Sequence, residues 1–161
     1  MKPSCSFASP LSDKQMTVWS LTSKGTPISA IAQKLGTSRQ YINQTKLAAE
    51  AKISKTLLEV AQVNELQVTK LNVHEAILLG YHPGLKRKAI VTYTTKHGMK
   101  VWYWHDKPEE EDLKEDFLRQ ARQYLLDVAA ERGVEVKDAE KIHPAKLASI
   151  IFSELLPELK T

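Results

Sequence analysis

Between Leu11 and Leu47 the chain is punctuated for three short helices joined by tight turns, and this spacing constrains the fold more than any other feature. Ser12 is placed to N-cap the first helix. Gln15 completes a capping box three residues later, and Leu11 and Met16 form a hydrophobic staple across it. Lys24-Gly25 ends that helix. Thr26 then caps a second one, with Pro27 in the favoured first position. Ile28, Ile31, Ala32 and Leu35 recur at helical spacing as one apolar face. Ala32 is small enough for two helices to cross closely. Gly36 stands where a tight turn needs positive φ. Thr37 is the expected cap of the third helix, with Gln40 completing a second box. Ile42, six residues after Gly36, is placed to lock the third helix onto the second.

Residues 11–48 resemble the helix-turn-helix of the sigma-factor region 4 and LuxR/NarL-type regulator families. The matching words are Leu11-Ser12-Asp13-Lys14-Gln15, Gly25, and Ile31-Ala32-Gln33-Lys34-Leu35-Gly36-Thr37-Ser38. Tyr41 and Thr45 depart from the family pattern. The resemblance implies that the third helix lies in the major groove of DNA. Ser38, Arg39, Gln40, Asn43 and Gln44 then face bases, and Lys46 faces phosphate. Side-chain chemistry points the same way. Arginine pairs bidentately with guanine, and asparagine or glutamine with adenine. Arg39, Gln40, Asn43 and Gln44 fall within two helical turns, fanned over roughly one face. Lys34, Lys46, Lys52 and Lys55 are candidate phosphate contacts.

Charge is distributed unevenly. Residues 1–60 carry eight basic and three acidic side chains, residues 61–107 seven and three, and residues 108–161 eight and thirteen. A basic front and an acidic rear fit one end facing phosphate. The 42% hydrophobic and 26% charged content is that of a folded chain, and its 161 residues suffice for one moderate domain or two small ones. No apolar run approaches the roughly 20 residues needed to span a bilayer, and the start lacks a signal-peptide core. Cys5 is alone, which excludes an internal disulfide and a cysteine-rich zinc site. The expected location is the cytoplasm, with residues 1–10 a loose arm.

From Ser38 to about Glu65 there is neither glycine nor proline, so the third helix should extend as a long linker. Ile53, Leu57, Val60, Ala61 and Asn64 make one stripe. Ala49, Ile53, Thr56, Val60 and Val63 also fit a short 4-3 seam, which would pair with a second copy as a coiled coil unless the helix packs on its own chain.

The centre turns to β composition. Ala76–Tyr81, Ala89–Thr95 and Val101–His105 read as strands, with turns at 82–85 and 96–99. The expectation is a three-stranded antiparallel meander with Trp102 and Trp104 on one face and Val101, Tyr103 and His105 on the other. These aromatics are read as core or interface. The alternatives are a small-ligand pocket and stacking of single-stranded bases, for which Lys86, Arg87 and Lys88 would add charge. The same three cations could serve as a wing against the DNA flank.

Two helices follow. Pro108 and Glu109–Asp112 suit a helix start, with Leu113, Phe117, Ala121, Tyr124, Leu125 and Val128 as its apolar stripe and Gly133 as its end. His143-Pro144 opens the last helix, whose Leu147, Ile150, Ile151, Leu155 and Phe152 are placed to face inward, and Pro157 ends it. The fold class is therefore α+β, with a helix-turn-helix head and long helix over residues 11–65 and a sheet covered by two helices over residues 70–161.

Catalysis is weakly signalled. The chain has no GxSxG, no phosphate-binding glycine loop and no HExxH. His82, His97 and His105 would meet only at a shared sheet edge, with Asp106 adjacent. No enzyme activity, cofactor or metal is expected. The sequence points instead to a regulator that binds double-stranded DNA as a homodimer, with transcription machinery as a further partner and no membrane association. The alternatives are a protein-interaction adaptor that docks through the helix-turn-helix, and RNA or single-strand binding on the aromatic sheet.

Overall fold

The computed structural model describes residues 9–104 and 114–160. Three helices, α1 (Asp13–Ser23), α2 (Ile28–Leu35) and α3 (Arg39–Val63), precede four strands, β1 (Gln67–Asn72), β2 (Ile77–His82), β3 (Arg87–Thr94) and β4 (Gly98–Tyr103). Helices α4 (Glu115–Glu131) and α5 (Pro144–Leu155) complete the α+β fold, with 3₁₀ turns at Ala139–Lys141 and Pro157–Lys160.

The capping logic holds in detail at α1. Ser12 Oγ accepts from the Gln15 backbone, and the Ser12 backbone donates to Gln15 Oε1. It shifts by one residue at the next two helices. Pro27, not Thr26, is the N-cap of α2 and makes no side-chain cap. Ser38, not Thr37, caps α3 by accepting from the Tyr41 backbone at 3.1 Å. Gly36 ends α2 in the left-handed region at φ 65°, which brings the Thr37 N–H back onto the Ala32 carbonyl.

The sheet is an antiparallel meander in the order β1-β2-β3-β4, so it has four strands rather than three. The additional strand, β1, has the sequence QVTKLN and lies at an edge, where its first four residues are exposed. An edge strand has little apolar alternation to reveal it, and a bulge between Val68 and Lys70 blurs what alternation there is.

Both faces of the sheet are covered, which explains why β2 and β3 read as near-continuous apolar runs. Ala76, Leu78, Ala89, Val91, Tyr93 and Met99 pack with Leu11, just ahead of α1, and with Trp19, Ala49, Ile53, Leu57 and Ala61 of the N-terminal helices. On the opposite face Ile77, Leu79 and Ile90 pack with Tyr124, Leu125, Val128, Leu147, Ile151 and Phe152. The sheet is thus the middle of three layers. Phe117 departs from the expected stripe of α4 and is exposed. Leu113 and the acidic run 109–112 lie outside the described residues.

This layering settles the fate of the 4-3 seam on α3. Ala49 and Ile53 are fully buried against the chain's own sheet, whereas Val63 is 81% exposed. The five positions therefore do not form one outward stripe, and pairing with a second copy along that seam is ruled out. Among the described residues no helix is long and apolar enough to cross a membrane.

Candidate nucleic-acid interface

The head is built on a small core of Val18, Ile31, Ala32 and Ile42, flanked by Leu21 and Ile28. Ile42 is fully buried, as its spacing from Gly36 implied. Leu35 departs from the expected apolar face of α2 and is exposed. Gly36, Thr37 and Ser38 form the three-residue turn that sets α3 against α2.

Burying Ile42 fixes the rotation of α3, and the rest of the first three turns follows. Ser38, Arg39, Gln40, Asn43 and Gln44 are all exposed. Arg39 to Gln44 span about 140° of the helix circumference at about 100° per residue. Lys34 is exposed on the last turn of α2. Lys46 is placed differently. Its Nζ lies 3.8 Å from Glu50 Oε1, its side chain is mostly covered, and it sits roughly a third of a turn away from Gln40. Glu50 also faces His74 of the β1–β2 turn, so Lys46 is held on the body side of α3. Lys52 is exposed, and its Nζ donates to Gln15 Oε1 at 2.9 Å. Lys55 is exposed and paired loosely with Glu59.

Residues 14–49 contain five cations, Lys14, Lys24, Lys34, Arg39 and Lys46, and no acidic side chain. The field over the outer surface of the head is therefore mainly positive, offset at its margins by Asp13 beside Lys14 and by Glu50 beside Lys46. Two further side chains belong to this surface and are not evident from the helix-turn-helix pattern. Lys14 Nζ lies 5.6 Å above the Tyr41 ring, at the mouth of a cleft of about 550 Å³ that is also lined by Asp13, Leu35 and Thr37. Leu47 is 56% exposed on the same outward face as Gln40 and Gln44. Its spacing was a usable signal, since it falls seven residues from Gln40 and not in phase with Ile42, Ala49 and Ile53.

The other candidates disperse. The β2–β3 turn carrying Lys86 lies near the C-terminal end of α3, where His82 Nε2 is 4.0 Å from Glu65. Arg39 is at the opposite end of a helix about 37 Å long, so Lys86, Arg87 and Lys88 cannot act as a wing beside it. His82 and His97 stand at opposite ends of the sheet, and His105 and Asp106 lie outside the described residues. His97 instead ties the β3–β4 turn to α4 through a 2.8 Å hydrogen bond with Asp127. Burial pushes the Asp127 carboxyl up, but hydrogen bonds from His97, Gln123 and Lys96 outweigh it and bring it below its ordinary value. Trp102 stacks on Tyr124 and touches Phe152 beneath α4 and α5, and Trp104 packs on the same core. Tyr103 and Val101 face the α3 layer. The described sheet therefore offers no open aromatic platform for bases.

One arrangement joins head and body. Arg132, buried at the C-terminal end of α4, donates to the carbonyls of Glu75 at 2.8 Å and Tyr93 at 2.6 Å, and its guanidinium lies 5.5 Å from the Trp19 ring. Burial lowers its pKa, with the neighbouring Glu131 carboxylate opposing. Trp19 meets Tyr93 edge-on at 5.0 Å, and Ser23 Oγ donates to the Glu131 carbonyl at 2.7 Å.

Comparison with protein-family models, with curated proteins and with solved structures finds no match. The functional argument therefore rests on this chain's own side chains.

Proposed function

We propose that this chain is a sequence-specific double-stranded DNA-binding regulator of transcription, which sets the first turns of α3 into the major groove. The observation that carries the reading is the outward fan of Arg39, Gln40, Asn43 and Gln44 on a head that holds five cations and no carboxylate from residue 14 to 49. An α-helix with its side chains is about 10–12 Å across, which the roughly 12 Å width of the major groove admits. Ser38 and Lys34 flank the fan, with Lys52 and Lys55 further along, and these supply polar and cationic contacts to the backbone. The reading includes a cytoplasmic location, transcription machinery as a further partner, and no catalytic step. It also includes a dimer, because two heads on half-sites one turn apart multiply the affinity of one short reading helix. The contact between copies lies outside the buried seam of α3.

Selection of bound sequences from a random duplex pool at two salt concentrations tests the proposal. A palindromic motif is expected. Arg39→Ala should then lose about 1–3 kcal/mol and relax preference at one position, whereas Lys34→Ala should weaken all sequences alike and lower the salt slope by about one. Absence of salt-sensitive retention on any duplex refutes the reading.

A specific observation favours a second reading. The cleft between α1 and the α2–α3 turn presents the exposed apolar side chains of Leu35 and Tyr41 beside Lys14, a surface suited to a protein segment. An adaptor of this kind would lose its partner on Tyr41→Ala and be indifferent to Arg39→Ala.

A further inference from the structure

On the α3 face assigned above to the groove, we infer that the preferred duplex is rich in A·T pairs and that Leu47 is a specificity residue seated against a thymine methyl group. This inference rests on the DNA-reading proposal and deepens it.

The argument is an inventory of what the outward face can pair with. It holds three amides, Gln40, Asn43 and Gln44, and one guanidinium, Arg39. A side-chain amide carries a donor and an acceptor side by side, which matches the N6 donor and N7 acceptor of adenine. Guanine shows two acceptors there and is matched by a donor-only fork, of which the face has one. Cytosine offers an amino donor that calls for a carboxylate. The first carboxylate along α3 is Glu50, mostly covered and facing Lys46 and His74. The chemistry present therefore favours adenine three times, guanine once and cytosine nowhere.

Leu47 supplies the complementary half of the pair. It is 56% exposed, although Ala49 and Ile53 nearby are fully buried. It shares its face with Gln40 and Gln44, one turn beyond Gln44, and the small side chains of Ala48 and Ala51 leave room beside it. In the major groove the only apolar feature on the base edges is the methyl group of thymine. Leu47, Ala51 and Leu58 also line up outward, which raises pairing with a second copy. That arrangement would press two heads of the same positive sign together, whereas a duplex meets them with opposite charge.

The test uses the full chain and the motif selected above. Thymines in the motif are replaced by uracil one position at a time, which removes only the methyl group. One position per head should lose about fourfold in affinity, the worth of one buried methyl. Leu47→Ala should lose the same amount on the thymine duplex, bind the uracil duplex as the unaltered chain does, and leave the salt slope unchanged. Circular dichroism checks that the variant is folded. A motif dominated by G·C pairs, or indifference to uracil at every position with salt-steep binding intact, overturns this inference and leaves the DNA-reading proposal standing. Sedimentation showing a concentration-dependent dimer that Leu47→Ala dissolves would also overturn it, by assigning Leu47 to a contact between copies. Failure to bind any duplex at low salt defeats the DNA-reading proposal itself.

Discussion

Replacing Arg132 by methionine should destabilise the protein by about 3 kcal/mol, an expectation worked from the groups the guanidinium leaves behind. Its two short hydrogen bonds go to the carbonyls of Glu75 and Tyr93, with longer ones at 3.4 Å to Ala76 and 3.3 Å to Val128. The Ala76 carbonyl also accepts from the Tyr93 backbone and keeps that partner, and the Val128 carbonyl loses only a long bond. Glu75 and Tyr93 are the exposed accounts. A buried carbonyl left unpaired, as at Tyr93, costs about 1–3 kcal/mol, and the half-buried one at Glu75 costs less, giving roughly 2–5 kcal/mol for the two. Methionine restores the aliphatic packing of the stem and removes a buried charge whose desolvation opposed folding, which moves the total towards the lower part of that range. Urea unfolding monitored by tryptophan fluorescence measures the loss, and Trp19 fluorescence should also change because its ring loses the cation beside it. Arg132→Lys keeps the charge but not the fork, and should fall between the unaltered chain and Arg132→Met. A loss under about 1 kcal/mol for Arg132→Met, or a lysine variant less stable than the methionine one, would refute the claim that the carbonyl bonds dominate.

Further expectations concern the head, the tyrosines and the junction. Gly36→Ala should cost about 1–2 kcal/mol in urea unfolding without changing the fold, because its positive φ strains a Cβ although the space around it is open. Tyr124 is buried, and burial raises its hydroxyl pKa to about 12, against opposition from the nearby Thr92 hydroxyl and the Arg132 guanidinium. The folded value exceeds the unfolded one, so this contribution is intact below about pH 10 and falls away as pH rises towards 12, by about 2–3 kcal/mol in all. Alkaline unfolding followed by tyrosinate absorbance should show it, and Tyr124→Phe should flatten the decline. Trp19→Ala should cost about 3–5 kcal/mol, as expected for emptying a fully buried aromatic site, and additivity with Arg132→Met should fail because the two side chains are in contact.

The parts of the fold that could be read in advance are those with local causes. The capping box at Ser12, the left-handed turn at Gly36 and the burial of Ile42 each follow from a few neighbouring residues. Strands β2, β3 and β4 announced themselves through β-branched and aromatic runs between turns. What escaped depended on partners distant in sequence. The strand β1 looks polar because its side chains meet solvent at an edge. The stripe on α3 fits a coiled-coil seam and a sheet-covering helix equally well, and only the sheet, folded some thirty residues later, decides between them. The role of Arg132 was invisible for the same reason, since its acceptors lie 39 and 57 residues away. Within the candidate interface, the fan of Arg39, Gln40, Asn43 and Gln44 was legible from spacing, whereas the withdrawal of Lys46 towards Glu50 and the exposure of Leu47 required the rotation of α3 to be fixed.

That rotation is fixed twice, and the consequence concerns how the head works. At its start α3 is held by Ile42 against Ile31 and Ala32, a cluster of only four fully packed side chains. From Ala49 to Ala61 it is held by the sheet, in a core that also takes in Leu11 and Trp19. Four residues bury too little surface to hold three helices unaided. The larger core therefore sets the direction in which Arg39 to Leu47 point, and α1 is clamped to it through Trp19, Tyr93 and Arg132 at one end and the Ser23–Glu131 bond beside them. A fragment ending near residue 66 should consequently lose the cooperative helix signal that the full chain shows by circular dichroism. Its α3 would present Ala49, Ile53, Leu57 and Ala61 to water, and its Trp19 would lack both neighbours. A cooperative thermal transition in that fragment would mean that the small cluster suffices, and that the aim of α3 is set within the head.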